Sequence, residues 1–227
     1  MTRNLKALGL ALMAVLALGA IAAGSASAAG ERFHSEEKTT IVTGTSEASH
    51  VFAASGFSVT CTEAHFRGTS VGEAGGTTNK FLSLHPIYTG CTSSLGAAPV
   101  DTNGCNYEFN AETNASGHLP IKIVCTGANT IKVTAPGCTL SFGNQTVVNG
   151  ASVTNTGAGT TRDTTVKATA TATFSKSGFG CFVIGGTTGT YTGPTVVKGF
   201  KDNGTTGDLH TDSAIYHEGA QVGITWN

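Results

Sequence analysis

An all-β, antiparallel fold stapled by disulfides is what this 227-residue sequence predicts, and three observations carry the prediction. Short runs rich in Val, Ile, Thr, Phe and Tyr recur along the chain, separated by clusters of Gly, Asn, Ser and Asp. Beyond the N-terminal segment, no stretch carries a sustained helical stripe with a cap and a stop. The six cysteines form an even set. Regular spacing of short strands favours an antiparallel β-sandwich, with a β-barrel or two small sandwiches divided near Gly127–Asn129 as alternatives.

The first 28 residues stand apart. Arg3 and Lys6 precede the apolar run "LGLALMAVLALGAIAA", and "ASA" before Ala29 fits a small-residue cleavage site. The run is short for a membrane span. A cleaved Sec-type signal peptide over 1–28 is expected, followed by one secreted β domain over 29–227. The cleavage region has no Cys for lipid attachment and no paired Arg, and no later segment reads as a span. Release outside the cell is therefore expected.

The strand-like runs in order are "KTTIVTGT", "SHVFAA", "GFSVTCTEAHF", "KFLSLHPIYTG", "CNYEFNA", "LPIKIVCT", "NTIKVTA", "CTLSF", "TTVKATATATF", "TYTGPTVVKGF" and "VGITWN". The alternation is clearest near Thr165. There Thr165, Lys167, Thr169, Thr171 and Thr173 face one way, and Val166, Ala168, Ala170, Ala172 and Phe174 the other. The alanines imply a close-packed neighbour on the inner face. A threonine row is also what flat ice-binding arrays present, but those need many regular rungs and the sequence offers one.

In an exported chain the cysteines predict three disulfides. A bridge across a hairpin has its turn halfway along. The midpoints of Cys61–Cys91, Cys105–Cys125 and Cys138–Cys181 fall in "AGGTT", "TNASG" and "TGAGTTR", all turn-forming. Pairing Cys125 with Cys138 would put the midpoint inside a strand, while Cys91 with Cys105 stays open because Pro99 lies between them. Each sequential bridge would contribute roughly 3–4 kcal/mol on a chain-entropy estimate. A zinc site is disfavoured because no C-x₂₋₄-C pair occurs.

The Cys61–Cys91 bridge sets a register that places Glu63 opposite Thr89, His65 opposite Ile87 and Arg67 opposite His85. Glu63, His65, Arg67 and His85 then form one polar patch. It could be an acid/base pair of a hydrolase or a metal site, and it could equally be a solvated sheet face with cross-strand charge pairs. The four residues include no hydroxyl or thiol nucleophile, so the solvated, non-catalytic face is the expected outcome. Phe57 and Val59 share the parity of Cys61, which calls for a bulge or bend near that residue.

Other candidate sites are sparser. Asp202, Asp208, Asp212 and Glu218 could help hold calcium, but they lack the spacing of a calcium loop. His210 and His217 fit surface positions. Tyr88, Tyr191, Tyr216 and Trp226 are the aromatic platforms a glycan site could use. No H-E-x-x-H or phosphate-cradling motif occurs, and no cofactor is implied.

Removing Arg3 and Lys6 leaves eleven bases against fourteen acids, a net charge near −3 that argues against nucleic acid or an anionic membrane. The partner classes left are a cell-envelope component, a glycan, or a second copy through strand exchange. The segment "KTTIVTGTSEASHVFAA" and the terminal "VGITWN" are the edges such exchange would use.

The segments "VTCTEAHFRGT", "LHPIYTGC", "NGCNYEF", "TAPGC" and "TVVKGFKD" together resemble a group of uncharacterised secreted β-rich proteins of high-GC actinobacteria. The likeness covers most of the chain after residue 28. That group carries no known activity or ligand, so the resemblance implies a bacterial exported origin and says nothing of mechanism.

Overall fold

A computed structural model of the chain describes residues 33–35, 40–70, 82–109, 117–156, 163–201, 221–222 and 224–226. The segment 1–28 lies outside the described residues, as do Asp202, His210, Asp208, Asp212, Tyr216, His217 and Glu218. In chain order the strands are β1 (Phe33–Ser35), β2 (Thr40–Ser46), β3 (His50–Ser55), β4 (Phe57–Ser70), β5 (Leu82–Ser93), β6 (Gly96–Ala97), β7 (Val100–Asp101), β8 (Asn106–Phe109) and β9 (Leu119–Val124). They continue with β10 (Ile131–Ala135), β11 (Cys138–Phe142), β12 (Gln145–Thr156), β13 (Asp163–Thr173), β14 (Ser175–Ser177), β15 (Gly185–Lys201), β16 (Gln221–Val222) and β17 (Ile224–Trp226).

The all-β class and all three expected bridges are present: Cys61–Cys91, Cys105–Cys125 and Cys138–Cys181. Of the architectures weighed, the main sheet adopts the barrel, and a small second sheet accompanies it. Antiparallel pairing runs β4–β5–β8–β9–β12–β13–β15. Closure comes from β2 and β3, which share the eighth position in two halves. Strand β15 pairs β3 through Thr192 and β2 from Thr195, and β4 pairs β3 up to Cys61 and β2 from His65. Pro194 sits at the seam between β3 and β2, where the ladder to those strands is interrupted and its missing N–H leaves no gap.

The β4–β5 register is the one the disulfide implied, with Glu63 opposite Thr89, His65 opposite Ile87 and Arg67 opposite His85. Strand β4 buries Phe57, Val59 and Cys61 in its first half, then Ala64, Phe66 and Gly68 in its second. The expected change of buried face therefore falls between Cys61 and Ala64. It occurs by a bend without an inserted residue, because pairing continues in the same register while the partner strand turns at Gly90, whose φ is +61°.

The second sheet, in the order β14-β11-β10-β7, packs into the same hydrophobic core as the barrel. Its Ile131, Leu140 and Phe142 join barrel residues such as Phe52 and Phe174, whose rings lie 6.3 and 5.6 Å from that of Phe142. Beside it, a short 3₁₀ turn, Phe179–Val183, buries Cys181 against Cys138. Strands β1 and β17 pair with each other.

Along β13 the interior receives Val166, Ala168, Ala170 and Ala172, while Lys167, Thr169, Thr171 and Thr173 are exposed. An apolar interior with a polar exterior is the inverse of a lipid-facing barrel. Among the described residues no helix is long and apolar enough to cross a membrane. The threonine row is wider than one strand: Thr169, Thr171 and Thr173 sit directly opposite Thr192, Thr190 and Thr188 of β15.

Candidate functional site

The four residues of the predicted patch stand in the expected register but differ in exposure. Glu63 and His65 are on the outer wall, 64% and 46% exposed, with 3.8 Å between Glu63 Oε2 and His65 Nε2. Thr89 donates a 3.2 Å bond to the same carboxylate oxygen. Such an exposed ion pair is worth little. Arg67 is half-buried. His85, opposite it in register, is sealed under the segment between β7 and β8. Its Nδ1 donates to the Cys105 carbonyl at 3.2 Å, which leaves Nε2 to accept from Thr102 Oγ1 at 3.4 Å. Both imidazole nitrogens are thus committed to the disulfide-bearing loop. Among the described residues no three His, Cys, Asp or Glu side chains converge as a metal site.

Tyr88 and Tyr191, read as glycan platforms, instead point into the barrel. Tyr88 is buried and Tyr191 packs half-buried against the core. A sugar platform needs an open ring face, and these two faces are taken: Phe52 lies 5.3 Å from the Tyr88 ring and 4.8 Å from that of Tyr191. The side chains of Tyr216 and Trp226 lie outside what is described.

The interior contains two features that belong together. The first is a cavity of about 70 Å³. Its wall is almost wholly apolar, and Ala168, Ala170 and Ala172 leave the space that larger residues would fill. The close-packed neighbour expected opposite those alanines is replaced by this void. A barrel of eight strands has an interior that side chains just fill, so three alanines in succession leave room.

The second feature is a line of hydrogen bonds through the barrel. Tyr107 and Tyr88 hydroxyls are 3.0 Å apart, Tyr88 donates to Tyr191 at 3.0 Å, and Tyr191 lies 2.5 Å from His50 Nδ1. His50 Nε2 is 3.3 Å from the Pro194 carbonyl. A carbonyl can only accept, so Nε2 carries the proton and Nδ1 accepts from Tyr191. Every donor is then assigned: Tyr107 to Tyr88, Tyr88 to Tyr191, Tyr191 to His50, His50 to Pro194.

Burial sets the charge state of this relay. It holds the His50 imidazole below its ordinary 6.5, against a smaller opposing effect of the Pro194 bond. It pushes Tyr107 up to about 12, and Tyr88 and Tyr191 well above the ordinary phenol value. All four groups are neutral at physiological pH. Gly193 makes room for the imidazole, since a Cβ there would lie 2.3 Å from His50 Nδ1.

Sequence reasoning missed His50 and Tyr107. Their signal was present but weak: each shares strand parity with buried aromatics, His50 with Phe52 and Tyr107 with Phe109. Comparison of the chain with protein-family models, with curated proteins and with solved structures finds no match to any of the three.

Proposed function

We propose that the protein is an exported, non-catalytic binding protein whose barrel holds a small, neutral, largely apolar molecule. The observation that carries this is the alanine-lined apolar cavity of about 70 Å³ in the barrel, bordered by Ile131, Leu140 and Phe142 of the second sheet. A void is destabilising unless something occupies it, and apolar cavities in proteins stay dry and take up apolar molecules. Export is supported by the N-terminal segment 1–28 and by three disulfides, which persist in oxidising compartments. A hydrolase reading of Glu63, His65, Arg67 and His85 draws no support from their geometry, because Glu63 and His65 lie exposed on the outer wall and both His85 nitrogens are held by the segment between β7 and β8.

The test is ligand-observed NMR with small apolar probes on the native protein and on Ala170→Val, which adds two carbons at the cavity wall. Saturation transfer to the native protein that is lost in a folded Ala170→Val variant is the expected result. Equal transfer to both would place the probe elsewhere and overturn the proposal.

The outer surface favours a second role at the envelope. Phe179 and Phe182 are 91% and 77% exposed, with rings 5.8 Å apart on a turn fixed by the Cys138–Cys181 bridge. Lys176, on β14 just before the turn, donates its Nζ to the carbonyl of Ile184 just after it, at 2.5 Å. Exposed paired aromatics on a fixed turn suit a lipid interface. Sedimentation with phospholipid vesicles should fall in a Phe179→Ser/Phe182→Ser variant, and unchanged sedimentation contradicts this role.

A further inference from the structure

Resting on the cavity reading above, the geometry points to a ligand class: we infer that the cavity selects molecules carrying one O–H or N–H donor, received by the Tyr107 hydroxyl oxygen. The direction of the relay decides this. At its far end stands the Pro194 carbonyl, which has no proton to give, so His50 must donate there and accept from Tyr191. Tyr191 spends its proton on His50, and Tyr88 spends its own on Tyr191. Tyr107 is left to donate to Tyr88.

Each hydroxyl further along the relay both gives and receives. Tyr107 only gives: its oxygen accepts no hydrogen bond among the described residues. Tyr107 also lines the cavity, alongside Tyr191, Phe109, Ile121 and Ile123. An acceptor without a donor, at the edge of an apolar void, discriminates between ligands by hydrogen bonding. A donor on the ligand completes the relay. A ligand offering only an acceptor meets no free proton, because all of them are committed along the line, and its own polar atom would be buried without a partner.

Size narrows the class. The void is about half the ~150 Å³ apolar cavity that takes benzene. The ligand is therefore no larger than a small ring. A charged ligand is excluded by the same apolar wall.

Pyrrole and furan make the test, being five-membered rings of nearly one shape that differ in an N–H donor. Affinities are measured by titration NMR on the native protein and on Tyr107→Phe. Pyrrole should bind about fivefold or more tightly than furan to the native protein, the effect of one neutral hydrogen bond. The preference should vanish in Tyr107→Phe while furan binding persists. If both rings bind the native protein equally, the donor inference fails and the cavity reading stands. If neither binds, the cavity reading fails and takes the inference with it. Should Tyr107→Phe not fold, the native pyrrole-to-furan ratio decides alone.

Discussion

Replacing Tyr191 by Phe removes one oxygen from the middle of the interior relay, and the consequences can be worked through atom by atom. Tyr88 loses the acceptor of its 3.0 Å bond, and His50 Nδ1 loses the donor at 2.5 Å. His50 is fully buried and Tyr88 nearly so, so water cannot replace the missing partner. Reversing the Tyr88–Tyr107 pair does not help, because it only passes the stranded proton to Tyr107. Two buried groups without partners at ~1–3 kcal/mol each give a destabilisation of about 3 kcal/mol, within a range of ~2–5. Tyr107→Phe is different in kind. It removes the terminal donor, and Tyr88 keeps its bond to Tyr191, so the loss is about 1 kcal/mol. Urea unfolding with the disulfides intact measures both. For a chain of this size the two variants should melt roughly 6–12 °C and 2–4 °C below native. Equal losses, or a larger one for Tyr107→Phe, would refute the assigned direction of the relay.

Three further outcomes follow from the same geometry. Because burial lowers the His50 pKa below its unfolded 6.5, the unfolded chain takes up the proton first. Stability is full above pH 6.5 and falls below it, by up to ~1.4 kcal/mol per pH unit, until the folded-state pKa is reached; urea midpoints at pH 7.5 and 5.5 should differ, and less so in His50→Gln. The phenols behave in the opposite sense: with folded pKa values raised, Tyr107 to about 12, stability is full below pH 10 and declines as the pH rises toward 12. Ultraviolet titration of phenolate should show three tyrosines ionising only above pH 10, together with unfolding. Gly193→Ala drives a Cβ into an imidazole pinned by two hydrogen bonds, and should lower stability by ~1–3 kcal/mol in calorimetry.

The sequence carried local pairing well and closure poorly. One bridge, Cys61–Cys91, was enough to place Glu63, His65 and Arg67 against their partners, because side chains in an antiparallel ladder are fixed once one pair is known. Midpoint reasoning also succeeded for Cys138–Cys181, although these residues are not facing partners in one hairpin. The arms of the β12–β13 hairpin continue into the second sheet, where Thr139 pairs Ser177, and Cys181 follows on the 3₁₀ turn. Strand β12 is absent from the strand-like runs of the sequence, and its Asn149–Gly150 pair is a turn-type dipeptide. In the fold the pair marks an irregularity between Val147 and Ala151, with Gly150 pressed against Ile121.

Barrel against sandwich turned on whether β2 and β3 reach β15, roughly 130–160 residues away in the chain, and no local pattern encodes that contact. The candidate site was illegible for a related reason. His50, Tyr88, Tyr107 and Tyr191 come from four strands, and only closure brings them within hydrogen-bonding distance. Strand parity with buried neighbours such as Phe52 and Phe109 cannot by itself distinguish a polar relay from aromatic packing. The surface patch stood out in sequence because its charged residues cluster locally, as exposed strand faces commonly do.

The central claim is that the barrel interior keeps an apolar space able to take up a small molecule. A crystal structure under xenon pressure tests it most directly, since xenon enters dry apolar cavities without needing a hydrogen bond. Xenon density bounded by Ala168, Ala170, Ala172 and Phe174 is the predicted result. A core that is closed there, or one holding ordered water in place of xenon, would contradict the account.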